Sequence, residues 1–272
     1  MLRSSLALLS FSAAVACSCA AVAGEEPADF QAITRVYRAG EREPVDEVTT
    51  VFRKGLVYEF IRSKDGSRDA EATIYDPANG RFVILNAERE IWTEILTSDI
   101  EAFSAGLKAT ALGSKDPIVA FMGAPKFKEV EEPGGLTFVS KWMEYKVRAT
   151  PAHTPDLVKR YVDCAQWNAQ VNVMLTPGGL PPFPKMVILQ ALADRNLLPS
   201  EVRITLDPKQ QGKRPISLRA THQFQWTLSD AERKRIDDTA RQLAAYREVT
   251  RPEYVSPAEE EETAAAPAEP QR

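Results

Sequence analysis

Two histidines, one cysteine outside the leader and 38 carboxylates are the side chains through which this chain could do chemistry. Histidine is the usual proton-transfer group near neutral pH. His153 falls in the loop Thr150-Pro151-Ala152-His153-Thr154, where an exposed side chain is expected. His222 alternates with Ala220 and Phe224, which predicts a strand residue held by a hydrogen-bond partner. Cys164 recurs with Leu157, Tyr161, Val171 and Leu175 at helical intervals, so it is expected to be buried and inert rather than nucleophilic. Among so many acids a close pair carries little information. Glu129, Glu131 and Glu132 around Val130 are expected to be solvated, and Glu88 and Glu90 flank Arg89 at a hairpin tip.

No Gly-x-Ser-x-Gly elbow, His-Glu-x-x-His zinc helix or phosphate loop is present. Gly134-Gly135 and Gly178-Gly179 are turn material. The stretch Asp76–Asn79 lacks the acidic ligands a calcium loop needs. No catalytic residue, metal site or cofactor is therefore expected. A hydrolase would require Cys164, a serine or an acid to meet His153 or His222 within hydrogen-bond reach.

The elements that must position these groups follow from periodicity. From Phe30 to Leu96 the chain alternates with period two between turn formers. Strands are predicted at Phe30–Arg38, Val45–Arg53, Leu56–Ile61, Glu71–Tyr75, Phe82–Asn86 and Glu90–Leu96. Their connections are too short for crossover helices, so neighbours should be antiparallel. Ser98-Asp99-Ile100-Glu101 has a capping-box pattern, predicting a helix through Ala111, and Pro117–Met122 a second. Strands return between Phe127 and Val147 around the turn Pro133-Gly134-Gly135. Thr154-Pro155 opens a helix to Leu175. Phe183–Asp194 suits a further helix, although Val187-Ile188-Leu189 could be strand. Strands at Glu201–Leu206 and Ile216–Trp226 and a helix from Ala231 to Glu248, capped by Ser229, complete the body.

The meander is unusual in being apolar on both faces. Leu56, Tyr58 and Phe60 share one face while Val57 and Ile61 lie on the other, and the strands from Phe82 and Glu90 behave alike. An antiparallel sheet with a wet face would alternate cleanly, so both faces must be covered.

The stretches "VFRKGLVYEFIRS", "IYDPANGRFVILNAEREIWTEI", "PSEVRITL" and "ISLRATHQFQWTL" resemble the periplasmic lipoprotein-carrier half-barrel superfamily (LolA/LolB-like). The resemblance is one of pattern and implies an α+β fold. A strongly curved antiparallel sheet, a half-barrel, would be covered by helices and enclose an apolar cavity for acyl chains. No functional residue of that family is matched position by position. The helical segments 98–122 and 154–194 read as insertions into a single domain spanning 24–255.

The ends bound the setting. Arg3, the apolar run from Leu6 to Ala16 and Ala21-Val22-Ala23 predict a signal peptide over 1–23 and an exported, periplasmic or extracellular protein. The alternative is acylation at Cys17, giving a lipid anchor. Loss of the leader removes Cys17 and Cys19, so no internal disulfide is expected. The segment 256–272 is rich in Glu, Ala and Pro and predicts a disordered acidic tail. Net charge is −4 at pH 7, and losing Arg3 makes it one unit more negative. Such a chain has no basic field for nucleic acid.

The expected function is non-enzymatic binding or transport of an apolar ligand: a lipid, an acyl chain or a lipoprotein. Phe52, Tyr58, Phe60, Phe82, Ile84 and Trp92 would line its cavity, and contact with a membrane would be peripheral. The alternatives are an interaction module of the cell envelope with a filled core and, more weakly, the hydrolase.

Overall fold

The computed structural model describes residues 28–176, 178–207 and 215–256. The proposed leader, Cys17 and all but the first residue of the acidic tail lie outside the described residues. Six strands come first: β1 (Phe30–Arg38), β2 (Asp46–Arg53), β3 (Leu56–Ser63), β4 (Glu71–Asp76), β5 (Arg81–Asn86) and β6 (Ile91–Leu96). Helices α1 (Thr97–Leu112) and α2 (Pro117–Gly123) follow, then β7 (Lys128–Glu132), β8 (Gly135–Val139) and β9 (Met143–Pro151). Helices α3 (Pro155–Leu175) and α4 (Phe183–Asp194) precede β10 (Leu197–Leu206) and β11 (Ile216–Gln225). The described residues end with α5 (Asp230–Ala245), β12 (Arg247–Glu248) and α6 (Arg251–Val255). Among the described residues no helix is long and apolar enough to cross a membrane.

All the strands join one 12-stranded sheet in the order β12-β6-β5-β4-β3-β2-β1-β11-β10-β9-β8-β7. The fold is thus α+β, with an open sheet whose edges are β12 and β7. Antiparallel pairing, expected throughout, fails at one edge, where β12 runs parallel to β6. The hairpin rule does not reach this pair: β12 arrives from α5, far along the chain, and a helical crossover permits parallel pairing. The link that completes the sheet is β1, which pairs with β2 on one side and with β11 on the other.

Turn chemistry sets the registers. Gly55, Gly80 and Gly134 take positive φ in the hairpin turns, a conformation open to glycine without steric cost. Asp76 holds its own turn by accepting from the Asn79 backbone N–H at 3.2 Å and from the Asn79 amide at 2.7 Å. Helix α5 opens with the capping box expected from Ser229 and Glu232. The box expected at Ser98 does not form. Helix α1 begins two residues earlier, with Leu96 at its N-cap, and the Thr97 hydroxyl instead donates to the Gly80 carbonyl at 3.0 Å. Tertiary anchoring onto the β5 turn replaces the local cap.

Both faces of the meander are covered, by different elements. On one face Phe52, Val57, Tyr75, Phe82, Ile84 and Ile95 pack with Ile100 of α1 and with Val158, Tyr161 and Val162 of α3. On the other, Val51, Tyr58, Phe60, Ile74, Val83 and Leu85 pack with Ile236 of α5 and the neighbouring Leu228. A third cluster joins Phe138, Tyr145 and Val147 of the β8–β9 hairpin to Ile188 and Leu192 of α4. The two sets of alternating residues therefore serve two separate cores.

Candidate functional site

Between the sheet and helices α3 and α4 lies a hollow of about 340 Å³. Its floor comes from β1, β2, β3, β9, β10 and β11; the helices roof it. Small or β-branched residues make up part of the floor: Thr34 and Val36 on β1, Val48 and Thr50 on β2, Ala220 on β11. Ile188, Leu189 and Leu192 of α4 supply most of the apolar roof. One end is stopped by Phe52, which is fully buried, stacked on Phe30 at 4.1 Å and covered by the Arg160 guanidinium. The other end runs to Asp46, Leu218 and Arg219, all only half-buried.

The walls also carry charge and hydrogen-bonding groups. Glu59 sits between Val57 and Ile61 on the inward face of β3, where its carboxylate accepts from the Asn168 amide at 2.6 Å. The Thr50 hydroxyl donates to the same oxygen at 3.5 Å. Burial pushes the Glu59 carboxyl up from the usual range, and nearby Lys185 and Arg68 pull it back only in part. Lys185, in the first turn of α4, is pushed down by burial, with Glu59 opposing. Glu59 is half-buried and Lys185 exposed, and both line the hollow.

His222 of β11 faces the same space. Its Nδ1 lies 3.0 Å from the Thr34 hydroxyl and 3.4 Å from that of Tyr161. Burial, then the Lys185 charge, lowers its pKa to about 4, so the ring is neutral at neutral pH. Burial pushes the Tyr161 phenol up as well. Cys164 is 2 % exposed, and burial raises its thiol well above the ordinary value, so it stays protonated as its place on the apolar stripe predicts. It nevertheless borders the hollow, with the Asn168 amide 3.6 Å from its sulfur.

Of the six aromatic and aliphatic residues expected to line a cavity, Phe52 does so. Phe82 and Ile84 are buried against α1 and α3, where Phe82 stacks on Tyr75 at 4.6 Å. Tyr58, Phe60 and Trp92 lie on the opposite face, against α5 and the Tyr246 that follows it. There Arg235 caps the Phe60 ring at 3.9 Å, and the Trp92 indole donates to the Tyr246 carbonyl at 3.2 Å. These five fill cores because the helices present apolar faces directly to them.

The remaining candidates are placed as follows. His153 is exposed and edges onto Trp226 at 5.1 Å. Among the described residues neither histidine has a cysteine, serine or acid within hydrogen-bond reach; the partners of His222 are Thr34 and Tyr161. Glu129 and Glu131 are exposed on β7 but clamp Arg195, at 2.9 and 3.5 Å. Arg89 reaches from its hairpin tip to the carbonyls of Glu253 and Tyr254, pinning α6 to the sheet edge.

Sequence reasoning missed Glu59, Asn168 and Lys185. Signals for them exist. Glu59 is a lone acid between two inward aliphatics, whereas Lys185 heads the stripe Ile188, Leu189, Leu192 at spacings of three, four and seven. Asn168 continues the α3 stripe four residues beyond Cys164. No family model matches the chain, and no curated protein matches it.

Proposed function

We propose that the protein is exported and works by binding an apolar ligand, without chemistry, in the hollow between its sheet and helices α3 and α4. The observation that carries this reading is the hollow itself: about 340 Å³ walled largely by aliphatic side chains, within the range of small-molecule sites. An interaction module with a filled core would need no such space. Each methylene moved from water into it contributes roughly 0.8 kcal/mol. The leader pattern supports export, and the likeness to the lipoprotein carriers supports a lipid, an acyl chain or a lipoprotein as cargo.

The half-barrel shape belongs to the same proposal, and helix geometry supports it. His222 on β11 and Tyr75 on β4 stand four strand spacings apart, roughly 19 Å across a flat sheet. Yet Tyr161 meets His222, and Asp163 accepts from the Tyr75 hydroxyl at 3.0 Å. Those two helix residues are about 3 Å apart along the axis. A sheet bent around α3 brings both strands within side-chain reach.

Native mass spectrometry of the protein purified from a bacterial host, followed by solvent extraction, tests the reading. The expected result is a co-purified apolar adduct that Ala220→Trp, which fills the hollow, removes while the circular dichroism spectrum is unchanged. A bare mass together with no uptake of a fluorescent fatty acid would overturn it.

A further inference from the structure

The walls of the hollow are apolar but not electrically neutral, and their charge points to the head of the ligand. We propose that the hollow takes a single-chain carboxylate of roughly ten carbons, its carboxylate on the Lys185 ammonium and its chain along the α4 aliphatics. This rests on the binding role above and adds the chemical class of the ligand.

Three observations converge. First, Lys185 lines the hollow and has no hydrogen bond or ion pair among the described residues. A carboxylate would give this unpartnered ammonium a charge-assisted hydrogen bond. Second, Lys185 occupies the first turn of a 12-residue helix that carries no acid there. The helix N-terminus adds a partial positive charge to that of the ammonium. Third, the other charges of the walls are committed or distant. Arg68 pairs with Glu71 at 3.0 Å, and Arg219 stacks over Tyr37 at 4.2 Å. Glu59 already accepts from Asn168 and Thr50 through one oxygen. Asp46 lies four residues along β2 from Thr50, roughly 13 Å away. With Arg68 paired to Glu71 and Arg219 to Glu201 at 3.9 Å, Lys185 is the cation of the lining without such a partner among the described residues.

Size follows from volume. At roughly 30 Å³ for each water-sized group, a space of about 340 Å³ holds on the order of eleven non-hydrogen atoms, close to the twelve of decanoate.

Isothermal titration calorimetry on the full chain at pH 7.5 tests this with decanoate, decanol and decylamine, equal in chain and different in head. Decanoate is expected to bind at least tenfold tighter than decanol, with decylamine weakest. Lys185→Met should erase the advantage of decanoate while leaving decanol unchanged, and Lys185→Arg should keep it. Equal binding of decanoate and decanol, or tighter binding of decylamine, would overturn the assignment of the head while leaving an apolar hollow in place. Failure of all three to bind would instead remove the binding role itself.

Discussion

Replacing His222 by Gln should make the protein more resistant to mild acid, and the size of the effect follows from where the ring sits. An imidazole in the unfolded chain titrates near 6.5; in the fold, burial and the neighbouring Lys185 charge lower that to about 4. Above pH 6.5 the ring is neutral in both states. Between 6.5 and 4 the unfolded chain takes up a proton that the folded ring refuses, so stability is full above 6.5 and is lost as pH falls toward 4. At pH 4.5 the loss would be about 2.5 kcal/mol for a fully desolvated ring. Because His222 is half-buried and lines the hollow, screening reduces this to about 1–2 kcal/mol. Glutamine keeps a partner for the Thr34 hydroxyl but has no proton to gain. The assay is urea unfolding of the wild type and His222→Gln at pH 7.5 and pH 4.5. Taking the difference of differences cancels the carboxylates that titrate over the same interval. The variant should recover the stated amount at pH 4.5 relative to pH 7.5. An NMR titration gives a second readout, simple because the chain has two histidines. Identical acid sensitivity in both proteins, or a His222 ring titrating at 6 or above, would refute the placement of this ring in a desolvated wall.

Two further substitutions probe the packing around the site. Phe82→Ala removes a fully buried ring stacked on Tyr75 and should cost about 3–5 kcal/mol in urea unfolding; a loss below about 1 kcal/mol would show that this part of the sheet is not filled. A Cβ at Gly135 would stand 2.2 Å from the Val147 carbonyl oxygen, so Gly135→Ala should cost at least about 2 kcal/mol by prising β8 from β9. Gly106→Ala serves as its control: it is exposed in α1 with open space around it and should stabilise by about 0.5–1 kcal/mol.

Much of the fold was legible because local signals and tertiary structure agree. The meander strands, the helix beginning at Pro155 and the Ser229 cap all rest on short-range chemistry that the fold leaves undisturbed. Where only long-range contacts decide, the sequence is silent. The parallel seating of β12 on β6 joins segments more than 150 residues apart, with no periodicity linking them. The site lies between these extremes. The strand character and hydrogen bonding of His222 could be read from its alternation with Ala220 and Phe224. That Glu59, Lys185 and His222 share one space could not, because β3, α4 and β11 come together only after β1 has paired with both β2 and β11.

The double-sided apolar pattern of the meander also needs a different interpretation from the one its aromatics suggest. A strand greasy on both faces shows that something covers each face, and here α5 covers one while α1 and α3 cover the other. It does not show that a space remains. Large rings close space: Phe30 on Phe52 and Tyr75 on Phe82 are stacks that complete a packed layer against α3. Space survives where the inward residues are too short to reach the helices, as with Thr34, Val36, Val48, Thr50 and Ala220. A search for a cavity in a sheet of this kind should therefore begin with runs of small and β-branched inward positions. Within such a run an ionisable residue is the informative exception, since burial makes its charge costly and a ligand of opposite charge is one way to offset that cost. By that criterion Glu59 stands out from the 38 acids of the chain, and the three aromatics that face α5 do not.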